Sequence, residues 1–351
     1  MSGHEAVNPI HPSMVGKMDP AFVKLYDEHV ANTPNRPIDL PVLRKNYSKI
    51  YSYGTAPAPE TSNISDITFP SFDGADVRLR IYRPEGVADD VVLPVHIDFH
   101  GGGWGLGDLD TESHVLKHYV DLAQICVIDV DYRLVPDFAY PTGLKDCFEA
   151  TKYVYENAEK LHINKHSISV GGVSAGGNIC LAVSHLARDV GISLVLCVAG
   201  TPQVDDIEPY KTAADSPYPS CQECEFAPTL NWARLKWFDK LKWDSLSSDA
   251  AERAQQFEEI GWFKSIITAP DFTNLPKTVI YTAGCDPMRD EGEAYATKMI
   301  KNGNDVVFKR YPGVPHPFMH MDATLWQASD YIKRTAFDLA VAHRTVKVFF
   351  E

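Results

Sequence analysis

Short apolar runs alternate with helix-period segments along most of the chain. Runs rich in Val, Ile and Leu begin at Ile64, Val77, Leu93, Ile125, Ser167, Ile192, Thr278 and Asp305, which predicts eight strands. Asp73-Gly74 separates the first two and reads as a hairpin turn. Ile192–Val198 is almost continuously apolar, as expected of a central parallel strand covered on both faces. Helical patterns follow at Thr111–Ala123, Gly143–Leu161, the stretch after Ser174, Glu291–Asn302 and Ala323–Ala342. This βα rhythm predicts an α/β fold with a mostly parallel eight-stranded sheet and helices on both faces.

Two segments break the rhythm. Residues 1–18 look irregular; Asp19-Pro20 then opens a helix, with Asp as N-cap and Pro in the first turn. A second helix is expected over Leu40–Ser52, followed by a linker rich in Pro, Ala, Ser and Thr from Gly54 to Ser62. The other break carries Pro209, Pro217, Pro219 and Pro228, then turns aromatic and helical with Trp232, Trp237, Phe238 and Trp243. The expected division is an N-terminal helical cap arm over 1–55, a core over 56–203 and 272–351, and an inserted helical cap over 204–271.

Composition narrows the classes of function. The net charge of −14, without a basic run, argues against nucleic acid and anionic membranes as partners. No stretch approaches the roughly 20 apolar residues of a membrane span. The first residues lack the pattern of a secretory leader, and Val348-Phe349-Phe350-Glu351 match no targeting address. Seven scattered cysteines suggest reduced thiols, so a cytoplasmic setting is expected. Cys221-Gln222-Glu223-Cys224 is a lone C-x-x-C without a second ligand pair, so no metal site is assigned to it.

The chemistry centres on Gly172-Val173-Ser174-Ala175-Gly176. It stands between a β-branched run and a helical segment, as a nucleophile elbow does. The plain alternative is a glycine-rich loop for phosphate, but no Walker lysine follows. A serine hydroxyl needs a base, and the base needs a carboxylate, in the chain order Ser, acid, His. Asp286, just after the strand at Thr278, is the best acid; Asp290 and Glu291 are rivals that suit the first turn of the next helix. His316, in the loop after the last strand, is the best base, with His320 as its competitor. An oxyanion needs fixed N–H donors, and the backbones of Gly102, Gly103 and Ala175 are the candidates. Trp104 beside the glycines, Val173 against the serine and Phe238 in the insertion are candidate substrate contacts.

These blocks carry a resemblance. His100-Gly101-Gly102-Gly103, Asp131-Tyr132-Arg133-Leu134 with Pro136, Gly172–Asn178, Asp286–Gly292 and Gly313–Phe318 stand in the order found in the hormone-sensitive-lipase-like carboxylesterases. The chain resembles that family over roughly residues 65–340. The resemblance implies the α/β-hydrolase fold, a helical cap, Ser174, Asp286 and His316 as triad, and the HGGG loop as oxyanion hole. Three positions depart from the family pattern: Val173 for the usual Asp or Thr, Pro317 for Gly, and Val135-Pro136-Asp137 for Ala-Pro-Glu. The expected activity is that of a serine carboxylesterase working through an acyl-enzyme on Ser174, on short-to-medium acyl or bulky apolar esters, without a metal or organic cofactor, by a monomer or homodimer. A lactone-opening or lyase-type member with the same triad is one alternative. A non-catalytic receptor, like the gibberellin receptors that resemble this family but lack the base, is another.

Overall fold

A computed structural model describes residues 6–34 and 39–346. Eight strands form one sheet: β1 Ile64–Pro70, β2 Asp76–Tyr82, β3 Leu93–Phe99, β4 Cys126–Val130, β5 Ile163–Val173, β6 Leu196–Gly200, β7 Thr278–Ala283 and β8 Val306–Tyr311. Their spatial order is 1-2-4-3-5-6-7-8. β2 runs antiparallel to β1 and β4, and every pairing from β4 through β8 is parallel. All the predicted strands are present. β5 starts earlier than the sequence suggests, at Ile163, and β6 starts later, at Leu196.

The helices are α1 Pro12–Val15, α2 Pro20–His29, α3 Leu40–Tyr51, α4 Ser113–Ala123, α5 Thr142–Glu156, α6 Ala175–Asp189, α7 Pro219–Glu223, α8 Trp232–Trp243, α9 Ala250–Ile260, α10 Arg289–Lys301 and α11 Trp326–His343. The short α1 corrects the expectation that residues 1–18 are irregular: it is one turn, started by the His11 side chain accepting from the Ser13 amide, and too brief to give a period. The helix starts at α2 and α3 follow from local chemistry. The Asp19 carboxylate accepts from the Ala21 amide and Asp39 from Val42, each with proline in the first turn.

Alternate strand residues feed two cores, one on each face of the sheet. Cys197, Ala199 and Ile280 join the layer built with α5, α6 and α10. Leu196, Val198, Val279 and Tyr281 join the layer built with α2, α4 and α11. A third, smaller cluster lies above the C-terminal ends of the strands. It joins Leu106 and Met288 of the core segments to Leu230, Leu235 and Phe238 of the insertion, with Leu43 and Tyr47 of α3 packed against it. Both segments that break the βα rhythm therefore meet over the same end of the sheet. Arg44 ties α3 down: its guanidinium donates to the carbonyls of Gly105 and Val135 at 2.8 and 2.7 Å and pairs with Asp137.

No helix among the described residues is long and apolar enough to cross a membrane. The residues of the leader and targeting readings that fall at 1–5 and 347–351 lie outside those described.

Candidate active site

The elbow is built by close backbone approach. Ser174 follows β5 directly and precedes α6, with φ 60° and ψ −117°. Such a conformation costs roughly 1–3 kcal/mol for a residue with a side chain. The turn is held by the Ser174 amide donating to the Gly200 carbonyl at 2.8 Å. A Cβ at Gly176 would lie 1.7 Å from the Phe99 carbonyl oxygen, and one at Gly172 would lie 2.4 Å from it. Only glycine lets the end of β3 sit against this turn.

Asp286 and His316 come from adjacent loops stitched together by backbone. Gly284 donates to the Tyr311 carbonyl at 2.7 Å and Cys285 to that of Val314 at 3.0 Å. His316 Nδ1 then stands 3.0 Å from Asp286 Oδ2, with both side chains buried. The other carboxylate oxygen accepts from the Met288 amide at 2.9 Å. Thr229 of the insertion donates to the His316 carbonyl and fixes the loop from the opposite side.

Ser174, His316, Gly102, Gly103 and Ala175 all line one cavity. Gly102 has φ 121° and Gly103 φ 57°, conformations that favour glycine. A Cβ on Gly103 would meet the Phe238 ring at 2.2 Å. The Gly101 amide is already taken, donating to Glu112 Oε1 at 3.3 Å. Gly102 and Gly103 are the glycines of this loop that line the cavity. Ala175 begins α6, where the first amides of a helix have no intrahelical acceptor and the dipole favours negative charge.

Two of the three expected substrate contacts, Trp104 and Phe238, line this cavity. Val173 does not. Its side chain faces a smaller recess behind the serine and packs with the α4–α11 core. Strand alternation turns it away from the face on which Ser174 opens. Most cap aromatics are packing: Trp243 is fully buried in the core, and Trp262 and Phe263 lie against it. Tyr47, Gln203, Thr229 and Met288 also line the cavity. Met288 falls in the Asp286–Gly292 block, but no motif marks the other three, which come from separate segments.

The rivals have other partners. Asp290 accepts from the Ser220 amide and from Arg289, each at 2.7 Å. Glu291 is fully buried and accepts from the Val204 amide at 2.9 Å. His320, the competing base, stands 3.3 Å from Glu112 Oε2 and away from Asp286. Glu112 was unmarked in the sequence, and its pairing partner lies 208 residues further on. Cys221 and Cys224 are free and buried, and burial pushes both thiols up to about 12, which suits neither redox exchange nor metal binding.

The Glu112–His320 pair makes a testable contribution behind the oxyanion loop. Burial pulls the His320 imidazole down, but the Glu112 charge outweighs it and the net shift is upward from 6.5. Burial raises the Glu112 carboxyl, but His320 and the Gly101 amide outweigh that and hold it below 4.5. The raised histidine stabilises below its unfolded value and loses this as pH rises through its folded value. The lowered acid stabilises above its unfolded value and loses this as pH falls. The pair is therefore strongest near pH 5–6. Glu112→Ala should cost about 3–5 kcal/mol there, since it strands a buried cation. The deficit should shrink towards pH 9, as the pH rises through the folded value of His320. Urea unfolding at both pH values measures it; a deficit independent of pH would exclude the ionic pair.

Comparison with known proteins agrees with this fold. The family described as alpha/beta hydrolase fold matches residues 96–320. An AB hydrolase superfamily protein of Schizosaccharomyces pombe is 33% identical over 333 residues, covering 92% of this chain and 93% of that one. Carboxylesterase NlhH of Mycobacterium tuberculosis is 36% identical over 251 residues, covering 71% of this chain and 73% of that one. Among solved structures, an esterase of Pyrobaculum calidifontis superposes with a TM-score of 0.78 at 29% identity, over 92% of this chain and 98% of that one.

Proposed function

We propose, for a chain that belongs to the α/β-hydrolase fold family and to its hormone-sensitive-lipase-like carboxylesterase branch, that Ser174, His316 and Asp286 are the working triad. The protein is a serine carboxylesterase. The observation that carries the residue assignment is the 3.0 Å contact of His316 Nδ1 with Asp286, on a cavity shared with Ser174.

The chemistry follows from that arrangement. The carboxylate of Asp286 accepts from Nδ1–H, which leaves Nε2 as the basic nitrogen. Nε2 takes the Ser174 proton as Oγ attacks the ester carbonyl. The negative charge that develops on the carbonyl oxygen is met by the amides of Gly102, Gly103 and Ala175. A single fixed donor of this kind contributes about 2.7–4 kcal/mol to the transition state. His316 returns the proton to the leaving alcohol, giving an acyl-enzyme on Ser174, and water completes the cycle by the same route.

The cavity supports the substrate class. Leu230, Leu235, Phe238 and Met288 give it an apolar wall, while Ser174, His316 and Gln203 supply the polar end. That apolar wall supports short-to-medium acyl or bulky apolar esters as the substrates. The reading includes a cytoplasmic setting, which the seven free, buried thiols support, and action as a monomer or homodimer.

The test is a series of p-nitrophenyl esters from acetate to decanoate, with labelling by an organophosphonate. Activity should peak at short or medium chains, and the label should map to the peptide bearing Ser174. Absence of both turnover and label would overturn the assignment in favour of a binding protein. Turnover of lactones far above open-chain esters would replace the substrate class.

A further inference from the structure

His114 and His118 are four residues apart on α4 and so share one helix face. Asp322 faces them from the turn just before α11. His114 Nε2 lies 3.0 Å from Asp322 Oδ1, and the two imidazoles meet edge to face with centroids 5.0 Å apart. One ligand atom from each of the three lies within 4.8 Å of the others. The Nε2 of His118 is buried and has no protein partner among the described residues. A buried ring nitrogen left unpaired is costly, and an ordinary His–Asp ion pair does not account for it.

We propose that His114, His118 and Asp322 form a binding site for a borderline divalent transition cation of the zinc class, separate from the ester-hydrolysing cavity. Two imidazoles and one carboxylate are a standard zinc donor set, with water as the fourth ligand. They are a poor set for calcium or magnesium, which want oxygen ligands alone. A tetrahedral site at 2.0–2.2 Å holds ligand atoms about 3.4 Å apart, so the group needs only a small side-chain rotation to close.

The site joins three parts of the chain. Asp322 Oδ1 also accepts from the Ala56 amide at 3.1 Å, and Thr55 donates to the His320 carbonyl at 2.9 Å. A cation would therefore clamp α4, the turn that follows His316 and the linker of the N-terminal arm. Its expected effect is on stability, since none of the three residues lines the catalytic cavity.

The experiment uses the full chain after treatment with a chelator. Co²⁺ serves as an absorption probe and Zn²⁺ is titrated by calorimetry and by thermal melting. Wild type should bind one equivalent, give the visible bands of a four-coordinate cobalt site, and melt several degrees higher with Zn²⁺. His118→Gln and His114→Gln should each lose at least about a hundredfold in affinity, more than loss of an outer-shell partner costs, and should lose the rise in melting temperature. Circular dichroism of the metal-free variants checks that both fold. No saturable binding by wild type would overturn the proposal. So would unchanged affinity in both variants, or an equal response to Mg²⁺.

Discussion

Ser174→Ala is expected to abolish ester hydrolysis and leave the fold intact. The elbow is held by backbone: the Ser174 amide bonds to Gly200, and the Asn178 amide to the Ser174 carbonyl at 3.0 Å. Alanine keeps both bonds and bears the same φ of 60° at similar cost. What it removes is the attacking oxygen. On the proposed assignment, kcat should fall by about 10⁵–10⁶, the scale seen when a hydrolase nucleophile is deleted. That is about 7–8 kcal/mol of transition-state stabilisation. The small residual rate would come from the glycine amides and from binding alone. Steady-state kinetics on a p-nitrophenyl ester, with a thermal melt of the same sample, make the check. Activity within tenfold of wild type in the folded variant would remove Ser174 from the mechanism.

The sequence exposed the sheet and the chemical centre for different reasons. Buried parallel strands must be apolar on both faces, so Thr278–Ala283 and Cys126–Val130 stand out as runs. The elbow stands out because van der Waals contact with Phe99 forbids anything but glycine at 172 and 176. Strand limits were less visible. The apolar run from Ile192 to Val198 begins before its ladder, because Ile192 and Leu194 are packed in the core without being paired in β6. The cavity wall was the least legible part. Tyr47, Gln203 and Thr229 converge through tertiary packing, and a side chain that merely fills space leaves no spacing rule behind. Glu112 and His320 illustrate the same limit for charge: their pairing depends on how α4 meets the loop after β8.

Asp286→Asn is expected to be nearly as damaging, and it separates Asp286 from its neighbours. The asparagine carbonyl oxygen can still accept from the Met288 amide, as Asp286 Oδ1 does at 2.9 Å. Its amide group then replaces the oxygen that faces His316 Nδ1. An NH₂ there demands an unprotonated Nδ1 and so moves the imidazole proton to Nε2. That tautomer cannot take the proton of Ser174. The expected fall in kcat is about 10⁴, with KM little changed, because the apolar wall that binds substrate is untouched. Asp290→Asn should stay within a few-fold of wild-type activity, since its carboxylate is engaged by the Ser220 amide and Arg289, while His316 Nδ1 faces Asp286. Glu291→Gln should behave likewise: burial raises that carboxyl well above 4.5, and the amide can still accept from Val204. Kinetics of the three variants on one ester decide it. If Asp290→Asn matched the loss while Asp286→Asn kept a tenth of wild-type activity or more, the acid of the triad would have to be reassigned.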